Sequence, residues 1–172
     1  MGTDGVAIEA HVRKVLDRLA VPSEVIECDP ALADTAAFCA HYGYPPEQSA
    51  NTILVASKRP QGHFSACVVL STMRLDVNKQ VCRLMGVKKA SFASADITAE
   101  LTGMMIGGVT PFALPDDLPL YVDAAVMECP WVILGGGSRS IKVKIHPDAL
   151  LQLGGQVVLE LAKPLPPPDP SG

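Results

Sequence analysis

Two glycine-rich segments offer backbone groups that could do chemistry. Gly107-Gly108-Val109-Thr110-Pro111 lies inside an apolar loop, GMMIGGVTPFALP, over residues 103–115. Adjacent glycines permit positive φ and let another group come close to the backbone. N–H groups exposed there suit an ester carbonyl or a phosphate. Taken alone, the pentapeptide reads as a plain tight turn. Gly135-Gly136-Gly137-Ser138-Arg139 follows an apolar run and makes a second such loop. It lacks both the G-x-G-x-x-G spacing and the G-K-[ST] ending of nucleotide-binding loops. Asp123, at a strand end, reads as the cap of the segment that follows it. His146, just before Pro147, reads as a strand-end residue, with reach into a pocket as the alternative.

The five cysteines, Cys28, Cys39, Cys67, Cys82 and Cys129, form no C-x-x-C pair. An odd count without a secretory signal points to reduced thiols packed as small hydrophobes. The four histidines, His11, His41, His63 and His146, lack the spacing of a zinc site. There is no G-x-S-x-G, no H-E-x-x-H and no Ser/His/Asp set in a recognisable order. The residues by themselves name no reaction.

The elements that must position these loops follow from periodicity. Ile8, Val12, Val15, Leu16 and Leu19 predict an amphipathic helix over 5–20, with Pro22 beyond its end. Residues 24–28, 52–57 and 64–71 read as strands, the last two joined by a turn containing Pro60 and Gly62. Asp34 and Thr35 can cap a helix that stops at Gly43. Leu75, Lys79, Cys82 and Met85 predict a helix ending at Gly86. Residues 90–93 read as a short strand and 95–102 as a short helix ending at Gly103. Strands are expected at 120–123, 131–137 and 140–145, where Ile141, Val143 and Ile145 face one way. Pro147–Leu153 reads as a helix and QVVLEL (156–161) as a last strand. Interleaved helices with hairpin-linked strands imply an α/β domain with a mixed sheet. We expect one domain over residues 1–162 and a polyproline-like, disordered tail over 163–172.

The chain has 172 residues, 48 % hydrophobic and 19 % charged, a globular composition. No apolar run is long enough for a transmembrane helix. The N-terminal stretch lacks a signal peptide's basic and apolar regions, so a cytoplasmic location is expected. The net charge of −4 is unevenly spread. Residues 1–57 carry 3 basic and 8 acidic side chains, and residues 96–172 carry 4 and 9. Between them Lys58, Arg59, Arg74, Lys79, Arg83, Lys88 and Lys89 face Asp76 alone, a block of +6. An acidic protein does not coat duplex DNA, but a local basic block can meet a few phosphates at an RNA end. A solvated helix face is the plainer account of such a block.

The order of the pieces carries more than any one of them. LTGMMIGGVTPFALPDDLPLYVDAAVMECPWVILGGGSRSIKVKIHPDALL (101–151), with SANTILVAS (49–57) and RLDVNKQVCRLMGVKKASFAS (74–94) upstream, resembles the YbaK/EbsC/ProX family. These are free-standing aminoacyl-tRNA deacylases similar to the editing insertion of bacterial prolyl-tRNA synthetases. The resemblance spans roughly residues 5–160. It implies a mixed sheet curled into an open barrel surrounded by helices. It implies hydrolysis of the ester that links a wrong amino acid to the 3′ end of tRNA, with no metal, no cofactor and no protein nucleophile. The implied partners are the tRNA acceptor end and an aminoacyl-tRNA synthetase, with no membrane. The G-x-x-x-P signature falls on Gly107 and Pro111. Gly103, Gly108 and Thr110 would border the aminoacyl pocket with Gly135, Gly136 and Gly137, and His146 resembles the pocket histidine of some members. Thr52 matches the residue after a family lysine.

That lysine is missing. Members carry it at the start of the strand, in a pattern like A-K-T-L-L-V, and here Asn51 occupies the position in Ala50-Asn51-Thr52-Ile53-Leu54-Val55. Asparagine still donates and accepts hydrogen bonds but loses the charge-assisted contact. Either another cation fills the role, with Lys58, Arg139 and Lys142 as candidates, or activity is weak, or the substrate differs. The alternative to a trans-editing hydrolase is therefore a family member that binds an aminoacyl-tRNA end or a synthetase without efficient hydrolysis.

Overall fold

The longest strands of the chain form one antiparallel hairpin, Ala50–Arg59 (β2) with Gln61–Leu70 (β3). To label the rest in chain order, β1 is Ser23–Glu27, β4 Met73–Leu75, β5 Lys89–Phe92, β6 Leu120–Asp123, β7 Val132–Gly135, β8 Ile141–Ile145, β9 Gln156–Val158 and β10 Ala162–Pro164. The helices are α1 Gly2–Arg18, α2 Thr35–Tyr42, α3 Cys82–Met85, α4 Ala95–Thr102, α5 Ala124–Met127 and α6 Asp148–Gln152. The computed structural model describes residues 2–166, with side chains from residue 5 onward. No helix among them is long and apolar enough to cross a membrane.

The hairpin seeds a five-stranded mixed sheet in the order β5-β2-β3-β6-β9, with β6 and β9 parallel to their neighbours and the other pairs antiparallel. A three-stranded antiparallel sheet, β1-β8-β7, packs against it, and β10 pairs with β4 in a separate ribbon. None of the three sheets closes into a barrel. A parallel bridge between Ser49 and Ile133 joins the start of β2 to β7.

Strand alternation sets the core. Ala50, Leu54, Ala66, Val68, Leu120 and Val122 point to one face of the large sheet, where they meet Val12 and Leu16 of α1 and Val143 and Ile145 of β8. Val55, Cys67, Val69 and Tyr121 point to the other face, covered by Leu75, Val81, Cys82 and Leu161. The far face of the small sheet is covered by α2, whose Phe38 and Cys39 pack with Cys28, Ala33 and Ile133.

Two predicted elements come out differently. The helix expected from Leu75 to Met85 begins as strand β4, because β10 supplies a partner: Leu75 pairs with Ala162, and Asp76 N–H donates to Leu161 O at 2.9 Å. A π-turn at Val77–Val81 then leads into α3, with the Asp76 carboxylate accepting from Lys79 N–H at 3.2 Å. The run QVVLEL stops as a strand at Val158, and Glu160 takes φ 56°, which turns the chain into β10. Strand β10 crosses the expected boundary at residue 162, while residues 167–172 of the proline-rich tail lie outside the described residues.

Candidate functional site

Each glycine loop is shaped by the other. Gly107 has φ +97° and Gly137 φ +97°, a region L side chains rarely adopt. Gly137 N–H donates to Gly108 O at 2.7 Å, stitching the loops together. A Cβ on Gly135 would collide with Val109 O, and one on Gly108 would sit 2.7 Å from the Ser138 carbonyl carbon. Two backbones thus approach where only glycine leaves room.

Beside these loops lies a cavity of about 350 Å³. Asn51 to Leu54 at the start of β2 form one wall, Ile106, Gly107 and Val109 another, and Ile133 to Gly135 with Lys142 a third. Thr35 and Phe38 of α2, with Ala33 and Asp34 just before it, close it from another side. Phe92 and Ile106 also line it and are each 56 % exposed, so they form an apolar rim. The N–H groups of Gly107 and Val109 meet no acceptor among the described residues, which leaves two backbone donors on the loop wall.

Of the residues singled out from sequence, Asn51, Thr52, Gly107 and Gly135 line this cavity. Gly108, Gly136 and Gly137 are buried behind it, where they hold the loops together. Thr110 caps a 3-10 turn, its hydroxyl accepting from Phe112 N–H at 3.3 Å, and Pro111 is buried in that turn. Gly103 ends α4 with φ +71°. His146 does not line the cavity. It is exposed beyond β8, and its Nδ1 accepts from Asp148 N–H at 3.1 Å, at the start of α6.

The polar groups of the cavity are few. Thr35 Oγ1 donates to Asn51 Oδ1 at 2.7 Å, which ties α2 to β2. The Thr52 side chain is buried, and its Oγ1 has no hydrogen-bond partner among the described residues. Asp34 caps α2 without a side-chain bond to that helix; its Oδ1 meets Arg139 Nη1 at 3.2 Å. The sequence offers Lys142 only as one of three candidate cations. It stands in the cavity wall, 6 % exposed, with its Nζ donating to Gly107 O at 3.1 Å and lying 5.8 Å from the Phe38 ring centroid. Burial lowers its pKa, and Arg139 lowers it further, while Cys28, Asp34 and Cys39 act the other way. The alternation of SIKVKI places Lys142 opposite Ile141 and Val143, but no sequence signal says that the lysine face would be covered.

No cysteine lines the cavity. Burial raises the thiols of Cys28 and Cys129 and pushes Cys67 up to about 12, the reverse of what a nucleophile needs. Asp123 is a cap: its Oδ2 accepts from Ala125 N–H at 3.3 Å and its Oδ1 from Ala162 N–H at 3.1 Å.

Residues 29–153, which contain all the cavity walls, match the model of the aminoacyl-tRNA editing domain. The chain belongs to that family. Among relatives of the editing domain, a candidate Cys-tRNA(Pro)/Cys-tRNA(Cys) deacylase, EbsC, of Enterococcus faecalis is 24 % identical over 86 residues. The match spans 50 % of this chain and about half (52 %) the length of that relative. Solved structures extend the likeness over the whole editing fold. One is described as a candidate trans-editing enzyme for prolyl-tRNA synthetase, with TM-score 0.75, 24 % identity and 91 % and 96 % of the two chains covered. Another, the hypothetical protein APE2540, aligns with TM-score 0.79 and 25 % identity over 89 % and 99 %.

Proposed function

We propose that this protein is a trans-editing hydrolase that removes a wrongly attached amino acid from the 3′ end of tRNA. The observation that carries the proposal is the cavity, in an editing-family chain, that sets the Gly107 loop opposite the start of β2. An aminoacyl ester is already activated. Holding it in place, with donors directed at its carbonyl, supplies much of the acceleration without a protein nucleophile. The free N–H groups of Gly107 and Val109 suit that carbonyl. The unpartnered Thr52 hydroxyl suits a polar group of the aminoacyl or ribose moiety, since a buried hydroxyl left without a partner is costly. Cytoplasmic tRNA and the synthetase that charges it are the partners that fit.

The test is a deacylation assay of the full chain against a panel of mischarged tRNAs, with spontaneous hydrolysis subtracted. At least one ester should be cleaved at a rate proportional to enzyme concentration. Binding without turnover across the panel would instead return the protein to the weakened, binding-only alternative.

A further inference from the structure

Asn51 stands where the editing-family resemblance implies a lysine, and the three cations that could stand in for it have different fates. Lys58 is exposed, seven residues along β2 from Asn51, at the far end of the strand. Arg139 is committed elsewhere. Its Nε donates to Pro30 O at 3.1 Å, and its Nη1 meets Asp34 Oδ1 and Ile106 O, each at 3.2 Å. Lys142 enters the cavity from β8, on the other sheet, and among the described residues its ammonium donates a hydrogen bond only to Gly107 O. No described carboxylate lies within salt-bridge distance of it. A side chain more than nine-tenths buried that carries a charge, without an opposite charge and with N–H bonds to spare, is held at a cost that a bound ligand can offset.

We propose that Lys142 supplies from β8 the cation that the family carries at the start of β2, and that its ammonium donates a hydrogen bond to the carbonyl oxygen of the bound aminoacyl ester. The inference rests on the deacylase reading above. Depth selects the ester over the tRNA phosphates: a lysine only 6 % exposed in the cavity wall is met by a group inserted into the cavity, not by one passing over its mouth. The bond to Gly107 O fixes the ammonium beside the Gly107 loop. In the reaction water adds to the carbonyl carbon, and negative charge gathers on the carbonyl oxygen next to Lys142. The bond from that carbon to the ribose oxygen then breaks. The proton lost by the water ends on the ribose oxygen, giving free amino acid and a tRNA hydroxyl. Lys142 keeps its protons throughout.

The experiment compares wild type, Lys142→Met, Lys142→Gln and the double variant Lys142→Met/Asn51→Lys. It measures deacylation of the best-hydrolysed mischarged tRNA, binding of a hydrolysis-resistant amide analogue of 3′-aminoacyl-adenosine, and Tm as a check on folding. We expect each single variant to lose at least 100-fold in kcat/KM and to bind the amide about tenfold more weakly. The double variant should recover at least tenfold in kcat/KM, because a lysine on β2 restores the charge but not the tie to Gly107. A single variant within threefold of wild type overturns the proposal. So does a folded double variant without recovery, which would leave Lys142 as a strap for the loop. A preference for aspartyl or glutamyl esters that vanishes with Lys142 also overturns it, by assigning the ammonium to a side-chain carboxylate. If wild type hydrolyses nothing in the panel, the deacylase reading falls on its own. Amide binding then still decides Lys142, tenfold weaker binding supporting the contact and equal binding refuting it.

Discussion

Lys142 and Asn51 line the same cavity, and the number of charges it can hold limits both positions. Introducing Asn51→Lys into the wild-type chain adds a second ammonium to the lining of the same cavity and breaks the bond from Thr35 Oγ1 to Asn51 Oδ1. Like charges lining one cavity disfavour each other. The single variant should therefore gain no more than about twofold in kcat/KM, far below the roughly tenfold or more of a fresh charge-assisted contact. A steady-state assay beside wild type checks this, and a tenfold gain would mean that no cation yet serves the site. Stability should move the opposite way to activity. Lys142 has a folded pKa below its ordinary 10.5, so between the two values the folded state binds fewer protons than the unfolded state. Stability accordingly rises with pH through that window, and Lys142→Met should lack the rise. At neutral pH the same variant removes an unpaired buried charge. It should gain on the order of 1 kcal/mol, or about 2–4 °C in Tm for a chain of this size. Thermal melts across pH measure both effects.

At the scale of elements, the site depends on two loops pressed together and on one strand end. The Cβ of Gly135→Ala would overlap Val109 O, so the loops must part or the backbone must strain. Overpacking of that kind costs about 1–3 kcal/mol, and the parted loops would also withdraw Gly107 from the cavity. We expect lower Tm together with a kcat loss, read by calorimetry and single-turnover deacylation. A stable, fully active variant would show that the close approach is not needed. Phe92, at the end of β5, offers an exposed ring on the cavity rim where the terminal base of an entering tRNA can stack. Base–aromatic stacking contributes about 1–3 kcal/mol. Phe92→Ala should therefore raise KM by roughly 5- to 150-fold with kcat nearly unchanged.

At the scale of the whole molecule, charge is separated from the site. Arg59 pairs with Lys89 across β2 and β5, and Lys88 N–H donates to Arg59 O at 2.8 Å, so three cations gather at one end of the large sheet. Asn51 is eight residues away along β2, about 26 Å at the rise of a strand. That spacing suits an acceptor stem whose phosphates lie on the basic end while its 3′ end reaches the cavity. Reversing Arg59 and Lys88 to Glu should weaken tRNA binding and flatten its dependence on salt. It should leave cleavage of a short aminoacylated adenosine substrate unchanged. Equal tRNA binding at low salt would reduce the block to a solvated surface.

Local pattern was enough for much of this. The amphipathic period of α1, the β2–β3 alternation and the order of the two glycine loops can be read along the chain, because each depends on neighbours within a few residues. The lysine expected at position 51 comes only from the family resemblance, since no local period calls for one there. The partners of β1 and β4 are not, since β1 pairs with β8 and β4 with β10, across distances no local period encodes. That is why the predicted helix at Leu75 became a strand. The clearest case is Lys142. The alternation of SIKVKI states that Lys142 and Lys144 share a face, and an isolated strand would give that face to water. Tertiary structure decided otherwise for one of them. The helix α2, tied down by Asp34 to Arg139 and by Thr35 to Asn51, lays Phe38 over that face and buries Lys142, while Lys144 stays partly exposed over the Trp131 ring. A strand's sequence fixes which side chains travel together. What covers them depends on a segment more than a hundred residues away.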